Sequence, residues 1–413
     1  MRRSVWAVLL VLGLAGQAVA EGDHETEAFQ AGAFAEQDPP EVVEKEASPL
    51  AEMQEEEVEM VTASAEKARP AAVASRRQPP KGLAGPGNLR INGKFDIAYE
   101  RHGYTDKVWD GSSRLRNHHR FIFLSRESRD DPFFFTAELI DQWFYEFGAR
   151  WHTRGSPWHF MVRTGKVLVP FGGEPLFHDH YGGLSGSDQP VLPLVWAQHG
   201  AVGQVRYRSE HGFTLSNDLY AIQGYALAEE DAVLNLRRDF APDSDVKGGF
   251  GNRLGFGMGP FSVWYSALYN PLGFDRRLFM QAMDAVLWRI ADVPVLEDVA
   301  VRTGMMRADV SGGREGFGGA GDDYFHYANY LDLRYYPLDW LWIQARTGIR
   351  TFDNRRGHYM DDDRLTNRDG TSHNIGVVYE NAGWMVALHH YWNLEKVNEI
   401  ENDFLRLRVG YEF

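Results

Sequence analysis

The chain ends in Phe404-Leu405-Arg406-Leu407-Arg408-Val409-Gly410-Tyr411-Glu412-Phe413. Leu405, Leu407, Val409, Tyr411 and Phe413 fall on one face at strict period two, and Phe404, Arg406, Arg408, Gly410 and Glu412 fall on the other. An apolar face opposite a charged one over about ten residues, with aromatics at one end, is the pattern of a strand that crosses a bilayer.

The opposite end of the chain reads as an export signal. Met1-Arg2-Arg3 is a short basic region, Val5 to Ala15 is apolar, and Ala18-Val19-Ala20 supplies a small-x-small cleavage pattern. Residues 1–20 therefore read as a cleaved signal peptide, too short to span a bilayer as a helix. No other segment approaches eighteen uninterrupted apolar residues, so helical spans are excluded. There is no cysteine. That removes thiol chemistry, zinc ribbons and covalent haem attachment from the possible activities.

The net charge is −15 and unevenly spread. Residues 21–87 hold fifteen Asp/Glu against six Lys/Arg, are rich in Ala, Pro and Glu, and contain only Phe29 and Phe34 as aromatics. Such a segment cannot bury a core and is expected to be largely disordered in the periplasm. Leu50 to Lys67 has the length of one helix, but a coiled-coil seam breaks at Glu57, and a solvated tether is the simpler reading. From residue 88 the character changes to aromatic, glycine-rich and alternating, which sets the domain boundary.

Sixteen alternating segments follow: 89–101, 113–126, 133–141, 145–153, 158–169, 197–208, 213–224, 249–258, 261–270, 278–290, 295–308, 324–336, 341–352, 372–380, 384–392 and 404–413. Every second connection is a tight turn, and most of those between are longer and polar. This asymmetry and the even count predict an all-β fold, a closed antiparallel transmembrane β-barrel of about sixteen strands with both ends in the periplasm. Phe133, Phe135, Trp158, Phe261, Tyr335, Trp340, Trp384, Tyr411 and Phe413 cluster near the tight turns. They are expected to form an aromatic belt at the lipid headgroups.

Alternation also assigns the inner face. It turns Arg114, Arg116, His118 and Arg120 of the second segment inward, with Arg163, Arg206, Arg208, Arg346, Arg350, Arg406 and Arg408 from later ones. Adding Arg90, Lys94, Arg150, Arg253, Arg302 and Arg334 gives sixteen inward Lys/Arg against nine inward acids, Asp298 among them. A basic wall in an acidic chain would focus the field on anions.

The run Gly165-Lys166-Val167-Leu168-Val169-Pro170-Phe171-Gly172, followed by a long loop and then Pro193-Leu194-Val195 and Gly200, resembles the phosphate-selective porin O and P family. The resemblance implies a third extracellular loop, roughly 172–194, folded into the barrel as a constriction, and a homotrimer. The loop departs from the family's basic constriction. From Pro170 to Trp196 it carries no Lys or Arg, only Glu174, Asp179 and Asp188 with His178 and His180. Phosphate specificity is therefore not expected, and an acidic loop facing an arginine wall would set up a transverse field. The terminal strand, with Tyr411 and Phe413, also resembles the assembly signal of outer-membrane barrels. That implies the barrel assembly machinery, lipid and lipopolysaccharide of a Gram-negative outer membrane as partners.

Together these readings lead to an expected porin for small hydrophilic or anionic solutes, with no cofactor and no nucleic-acid partner. His178-Asp179-His180 lacks a third ligand for a metal, and His389-His390 point to opposite faces of a strand. Gly183-Leu184-Ser185-Gly186 has Ser187 where a nucleophile elbow needs glycine, so no enzyme is expected. The alternatives that stay open are a plugged structural or adhesive barrel and the barrel component of a larger complex, such as a cytochrome conduit.

Overall fold

The computed structural model describes residues 83–84, 89–102, 113–126, 132–140, 144–152, 156–172, 197–228, 232, 234, 236, 239–241, 247–290, 293, 296–312, 323–352, 370–395 and 403–413. Residues 1–82, and with them the signal peptide and most of the acidic segment, lie outside this set. So do Glu174, His178, Asp179, His180 and Asp188.

Among the described residues sixteen long strands follow one another: β1 (Leu89–His102), β2 (Ser113–Arg126), β3 (Phe133–Glu138), β4 (Tyr145–His152), β5 (Trp158–Leu168), β6 (Ala197–Arg208), β7 (Phe213–Ile222), β8 (Gly249–Met258), β9 (Phe261–Gly273), β10 (Arg276–Trp288), β11 (Val299–Ser311), β12 (Tyr324–Leu338), β13 (Leu341–Phe352), β14 (Gly370–Asn381), β15 (Trp384–Glu395) and β16 (Phe404–Glu412). Each pairs antiparallel with its neighbours in sequence. β16 pairs with β1 from Phe404↔His102 to Glu412↔Lys94, which closes the barrel. Among the described residues no helix is long and apolar enough to cross a membrane.

Closure is what a strand in lipid requires, because an open edge would leave amides and carbonyls with no water to bind. The outer face carries Ile97, Leu115, Leu254, Met305, Leu407 and Val409, all exposed. At the tight-turn end the outer aromatics touch in sequence round the wall. Trp158 packs on Tyr207, Tyr207 on Phe213, and Phe213 on Phe256. Farther round, Trp340 packs on Tyr379 and Trp384 on Tyr411. This is the belt of amphipathic rings that a headgroup layer favours.

Two assignments from strict alternation are corrected. In β2, Asp96 faces His119 while Ile97 faces Asn117, so His118 is the extra residue of a bulge. A one-residue slip turns every later side chain to the other face. Arg120 therefore lies on the outer surface, opposite Phe95 and exposed, while Phe121, Phe123 and Ser125 turn inward. Arg120 is level in the ladder with Phe95 and Tyr411, from where a long side chain reaches the headgroups. Asp298 is not on a strand either. It belongs to a short 3-10 turn, Leu296–Asp298, and faces Arg289 at 3.6 Å. The expected 295–308 strand consequently begins at Val299.

The seam is fixed by backbone and ring together. The Phe413 amide donates to Gly93 O and the Gly93 amide to Phe413 O, each at 3.0 Å. The Phe413 ring stacks on Phe95 with centroids 6.2 Å apart and covers Gly93 so closely that a Cβ there would meet the ring at 2.3 Å. Gly93→Val is expected to unseat the ring and weaken closure by the cost of overpacking, about 1–3 kcal/mol. Urea titration of the barrel refolded into lipid vesicles checks this. Gly251→Ala would collide with Tyr220 instead and provides a comparison away from the seam.

Candidate channel lumen

The inner wall carries polar rows on one side and an apolar patch on the other, with a smaller apolar cluster of Ala300, Tyr336, Trp342, Val378, Met385 and Ala387 on the polar side. In the polar sector the registers align a single transverse row. It passes from Arg334 to Gln344, Gly376, His389, Arg406, Glu100 and Arg114, spanning β12 through β16 to β1 and β2. Neighbours in the row bind one another. His389 Nε2 donates to Gln344 Oε1 at 3.1 Å, and Arg406 Nε donates to Glu100 Oε1 at 2.7 Å. Gly376 leaves the space for the His389 ring, since a Cβ there would meet it at 2.1 Å. One row over, register partners Arg302, Asp332, Arg346 and Asn374 form a second line. Asp332 is the hub between the two lines. It accepts from Arg334 Nε at 3.2 Å and Gln344 Nε2 at 2.5 Å, and stands 4.0 Å from Arg346 Nη1.

Aromatic faces complete the guanidinium environments. Arg346 lies 4.5 Å from the Tyr330 ring, Arg302 5.4 Å from Trp288, and Arg406 5.0 Å from Phe404. Stacking of this kind holds a planar cation without neutralising it.

Of the expected basic wall, Arg163, Arg346, Arg406 and Arg408 are buried on the inner face, and Arg206 and Arg208 are half-buried near the turn end. Arg163 is bound to Glu146 at 3.2 Å. Arg114, Arg116 and Arg350 occupy ladder positions opposite Glu100, Ala98 and Ala328, all of which are buried; their own side chains lie outside the described set. Compensation is closer than alternation suggested. Among the described residues nine Lys/Arg and seven Asp/Glu are buried, including Asp284, which alternation had not singled out. Asp284 accepts from the Tyr330 hydroxyl at 3.2 Å.

The apolar sector was not foreseen. Leu268, Leu272, Leu278, Met280, Val310 and Tyr324 of β9–β12 point into the barrel and are at most 3% exposed. They pack in one core with Tyr225, Leu227, Leu234 and Leu236 of the β7–β8 connection, and with Val169 and Phe171 just after β5. Each such side chain contributes about 1.5–3 kcal/mol of apolar burial. Backbone pairing holds the connection down. The Tyr225 amide donates to Asn270 Oδ1 at 2.7 Å, Asn270 Nδ2 returns a bond to Tyr225 O at 3.0 Å, and the Leu227 amide donates to Leu272 O at 3.1 Å. Burial pushes the Tyr225 phenol well above its ordinary range. It stays protonated and donates to Leu236 O at 3.1 Å. Leu268, Leu272, Leu278 and Met280 on β9–β10 were the available signal, but apolar residues on both faces of a strand do not say which face is lumenal.

The Gly-Lys run also acquires a reason. Gly165 has φ +132°, and a Cβ on it would meet Tyr145 O at 2.4 Å, so only glycine fits. Beyond it the chain leaves the wall, and the Gly172 amide donates to Ser266 Oγ on β9 at 3.0 Å. The rest of the third loop, 173–196, lies outside the described residues.

A closed antiparallel barrel with a lipid-facing apolar surface, an aromatic belt and a charged inner wall defines a porin-like barrel of the Gram-negative outer membrane. Neither a protein-family model nor a curated protein matches the sequence. Solved structures do resemble it. The outer membrane channel DcaP of Acinetobacter baumannii shares 13% identity, with 80% of this chain and 99% of that one covered and a TM-score of 0.49. An anion-selective porin from Comamonas acidovorans shares 12%, covering 79% and 99% with a TM-score of 0.48. OmpT of Vibrio cholerae shares 12%, covering 80% and 99% with a TM-score of 0.48.

Asp332→Ala should remove the buried carboxylate that Arg334, Gln344 and Arg346 share. Breaking a buried ion pair in this way costs about 3–5 kcal/mol. A lowered urea midpoint in detergent or vesicles, largely restored by Asp332→Asn only if hydrogen bonding rather than charge dominates, reads out the balance.

Proposed function

We propose that this barrel is a diffusion porin that passes small hydrophilic solutes with a modest preference for anions. The observation that carries the proposal is the pair of inner rows, in which four guanidinium groups, Arg302, Arg334, Arg346 and Arg406, stand with two carboxylates, Asp332 and Glu100. Low-dielectric walls concentrate the field of such a surplus on the pore axis. Because nine cations face seven acids rather than many facing few, the preference is small. We read the chain as a channel and not as an enzyme, without a cofactor.

The finer placement beside the phosphate-selective porin O and P family rests on Gly165 to Gly172. Phosphate specificity is left out of the proposal because the loop through Glu174, His178, Asp179, His180 and Asp188 offers no cation. We assign that loop to the constriction, its acids opposing the arginine row. A homotrimer, an assembly signal at Tyr411 and Phe413, contacts with lipopolysaccharide, and a periplasmic role for residues 21–87 belong to the same proposal.

A second reading is favoured by one observation. The inner charges are shielded, with Glu100 at 1% and Arg334 at 2% exposure, as a plugged structural barrel would have them. Planar-bilayer recording of the refolded barrel across a KCl gradient separates the two. Open channels are expected, with a chloride-favouring reversal potential that moves towards zero in Arg346→Ala plus Arg406→Ala. Cation preference would give control to the acidic loop. Absence of conductance would favour the plugged barrel.

A further inference from the structure

We propose that the outer face of β9–β12, in its extracellular half, holds the headgroup of a phosphorylated glycolipid, the lipid A part of lipopolysaccharide. This deepens the lipopolysaccharide contact of the proposed function, and it rests on the outer-membrane placement rather than on conductance.

Polar side chains stand here on a face that lipid should keep apolar. At the foot of these strands the outer residues are Val263, Ala285, Val301 and Leu333. Higher up, register partners Gln281, Arg307 and Tyr327 form one row across β10–β12, on the outer side of the burial alternation. The row is built. The Tyr265 hydroxyl donates to Gln281 Oε1 at 2.9 Å, and Asn329 Nδ2 donates to the Tyr327 hydroxyl at 3.2 Å. Arg307 donates to Asp309 Oδ1 from Nε at 2.9 Å and from Nη2 at 2.7 Å, and its guanidinium lies 4.4 Å from the Phe325 ring. The pair is oriented but not covered, with side-chain exposures of 52% and 34%. No other hydrogen bond reaches Gln281 or Tyr327 among the described residues, so the Gln281 amide nitrogen and the Tyr327 hydroxyl keep hydrogens to donate.

Height decides what meets those donors. From Phe261 at the tight turn to Tyr269, and from Tyr335 to Tyr327, the chain advances about eight residues, a rise of about 20 Å at a tilt of 35–45°. The apolar band of such a barrel is about 25 Å tall, so the row stands at the extracellular boundary. Tyr269 and Phe279, both exposed, flank it as an upper aromatic girdle. A lipid-facing arginine costs about 2–4 kcal/mol at the bilayer midplane and about 0–1 near the boundary. At that level the neighbour is a headgroup. Lipid A brings phosphate for the guanidinium and sugar hydroxyls and ester carbonyls for Gln281 and Tyr327. Its acyl chains would run down past Met283 and Met305, both exposed on the same face. A free phosphate could meet the guanidinium but would leave that apolar foot unused.

Native mass spectrometry of the refolded barrel, titrated with purified lipid A, reads bound lipid and barrels per complex together. Unshifted electrophoretic mobility of the unheated barrel confirms that each variant is folded. Arg307→Gln plus Asp309→Asn keeps the net charge and is expected to weaken lipid A binding about tenfold, the worth of one charge-assisted hydrogen bond. Tyr327→Phe removes a single hydroxyl and is expected to weaken it less. Arg120→Gln removes a cation on the same outer surface at the opposite boundary, and binding should not change. Phosphatidylglycerol, a phosphate without the sugar, is expected to bind the wild type more weakly, and excess inorganic phosphate should not displace lipid A. Undiminished binding in both row variants would overturn the proposal. So would equal binding of phosphatidylglycerol or displacement by inorganic phosphate. Fewer barrels per complex in the row variants, with lipid A retained, would give the face to a second copy and overturn it too. Current is not part of this readout. A barrel that binds lipid A at this row yet never conducts would lose the porin reading and keep the site, whereas a conducting barrel whose row variants bind like the wild type would do the reverse.

Discussion

Everything in this molecule depends on closing a sheet where no water can bind its edge. Each backbone group left unpaired in hydrocarbon costs several kcal/mol, so the seam between β16 and β1 decides whether the other fifteen ladders survive. The chain meets that demand to its last residue. Phe413 exchanges both backbone bonds with Gly93, and its ring lies over the flat backbone that glycine leaves. Below that point β16 has ended while β1 still runs on to Leu89. There Leu83 and Ala84 pair with Ile91 and Arg90, taking the edge that the C-terminus no longer covers. The two ends of the barrel domain thus complete one another's hydrogen bonding.

Once lipid has settled the outer face, the inner face is constrained only by mutual satisfaction, and it is satisfied in two ways. One sector pairs charge with charge and stacks what is left on aromatic rings. The other is an ordinary apolar core in which a loop replaces the second layer. The first solution explains why a chain of strongly negative charge presents a wall close to neutral: a lumenal arginine needs a carboxylate more than a pore needs a field. The surplus in such a wall is small, and its position is set by the ladder. The row shared by Arg334, Gln344, His389, Arg406 and Glu100 fixes that position, because ladder register leaves none of its members free to drift.

Strand number and most strand bounds were legible because period-two alternation survives wherever one face must be apolar. Segments 113–126, 197–208, 249–258 and 341–352 matched to the residue. Alternation failed where the backbone broke step. The bulge at His118 inverted Arg120, and the 3-10 turn at Leu296 took Asp298 off its strand. The bulge has no glycine or proline to announce it, and the turn has only Pro294, two residues upstream of Leu296. The packing of the β7–β8 connection on β9–β12 was hidden for another reason. The stretch Leu278-Phe279-Met280-Gln281-Ala282-Met283 is apolar on both faces. Such a strand states that both sides are covered but not that a loop some forty residues earlier supplies one of the covers.

The two inward segments are not independent, and this bears on how the third loop can act. Phe171 shares its core with Tyr225, Leu234 and Leu236, while the Gly172 amide reaches Ser266 on β9, four strands away from its own. The base of the third loop is therefore seated on the core that the β7–β8 connection completes. The glycine at 165, with its positive φ, is what lets the strand deliver Phe171 to that seat. The sequence run most characteristic of this barrel therefore acts by positioning the base of the third loop, and it contributes no binding group of its own.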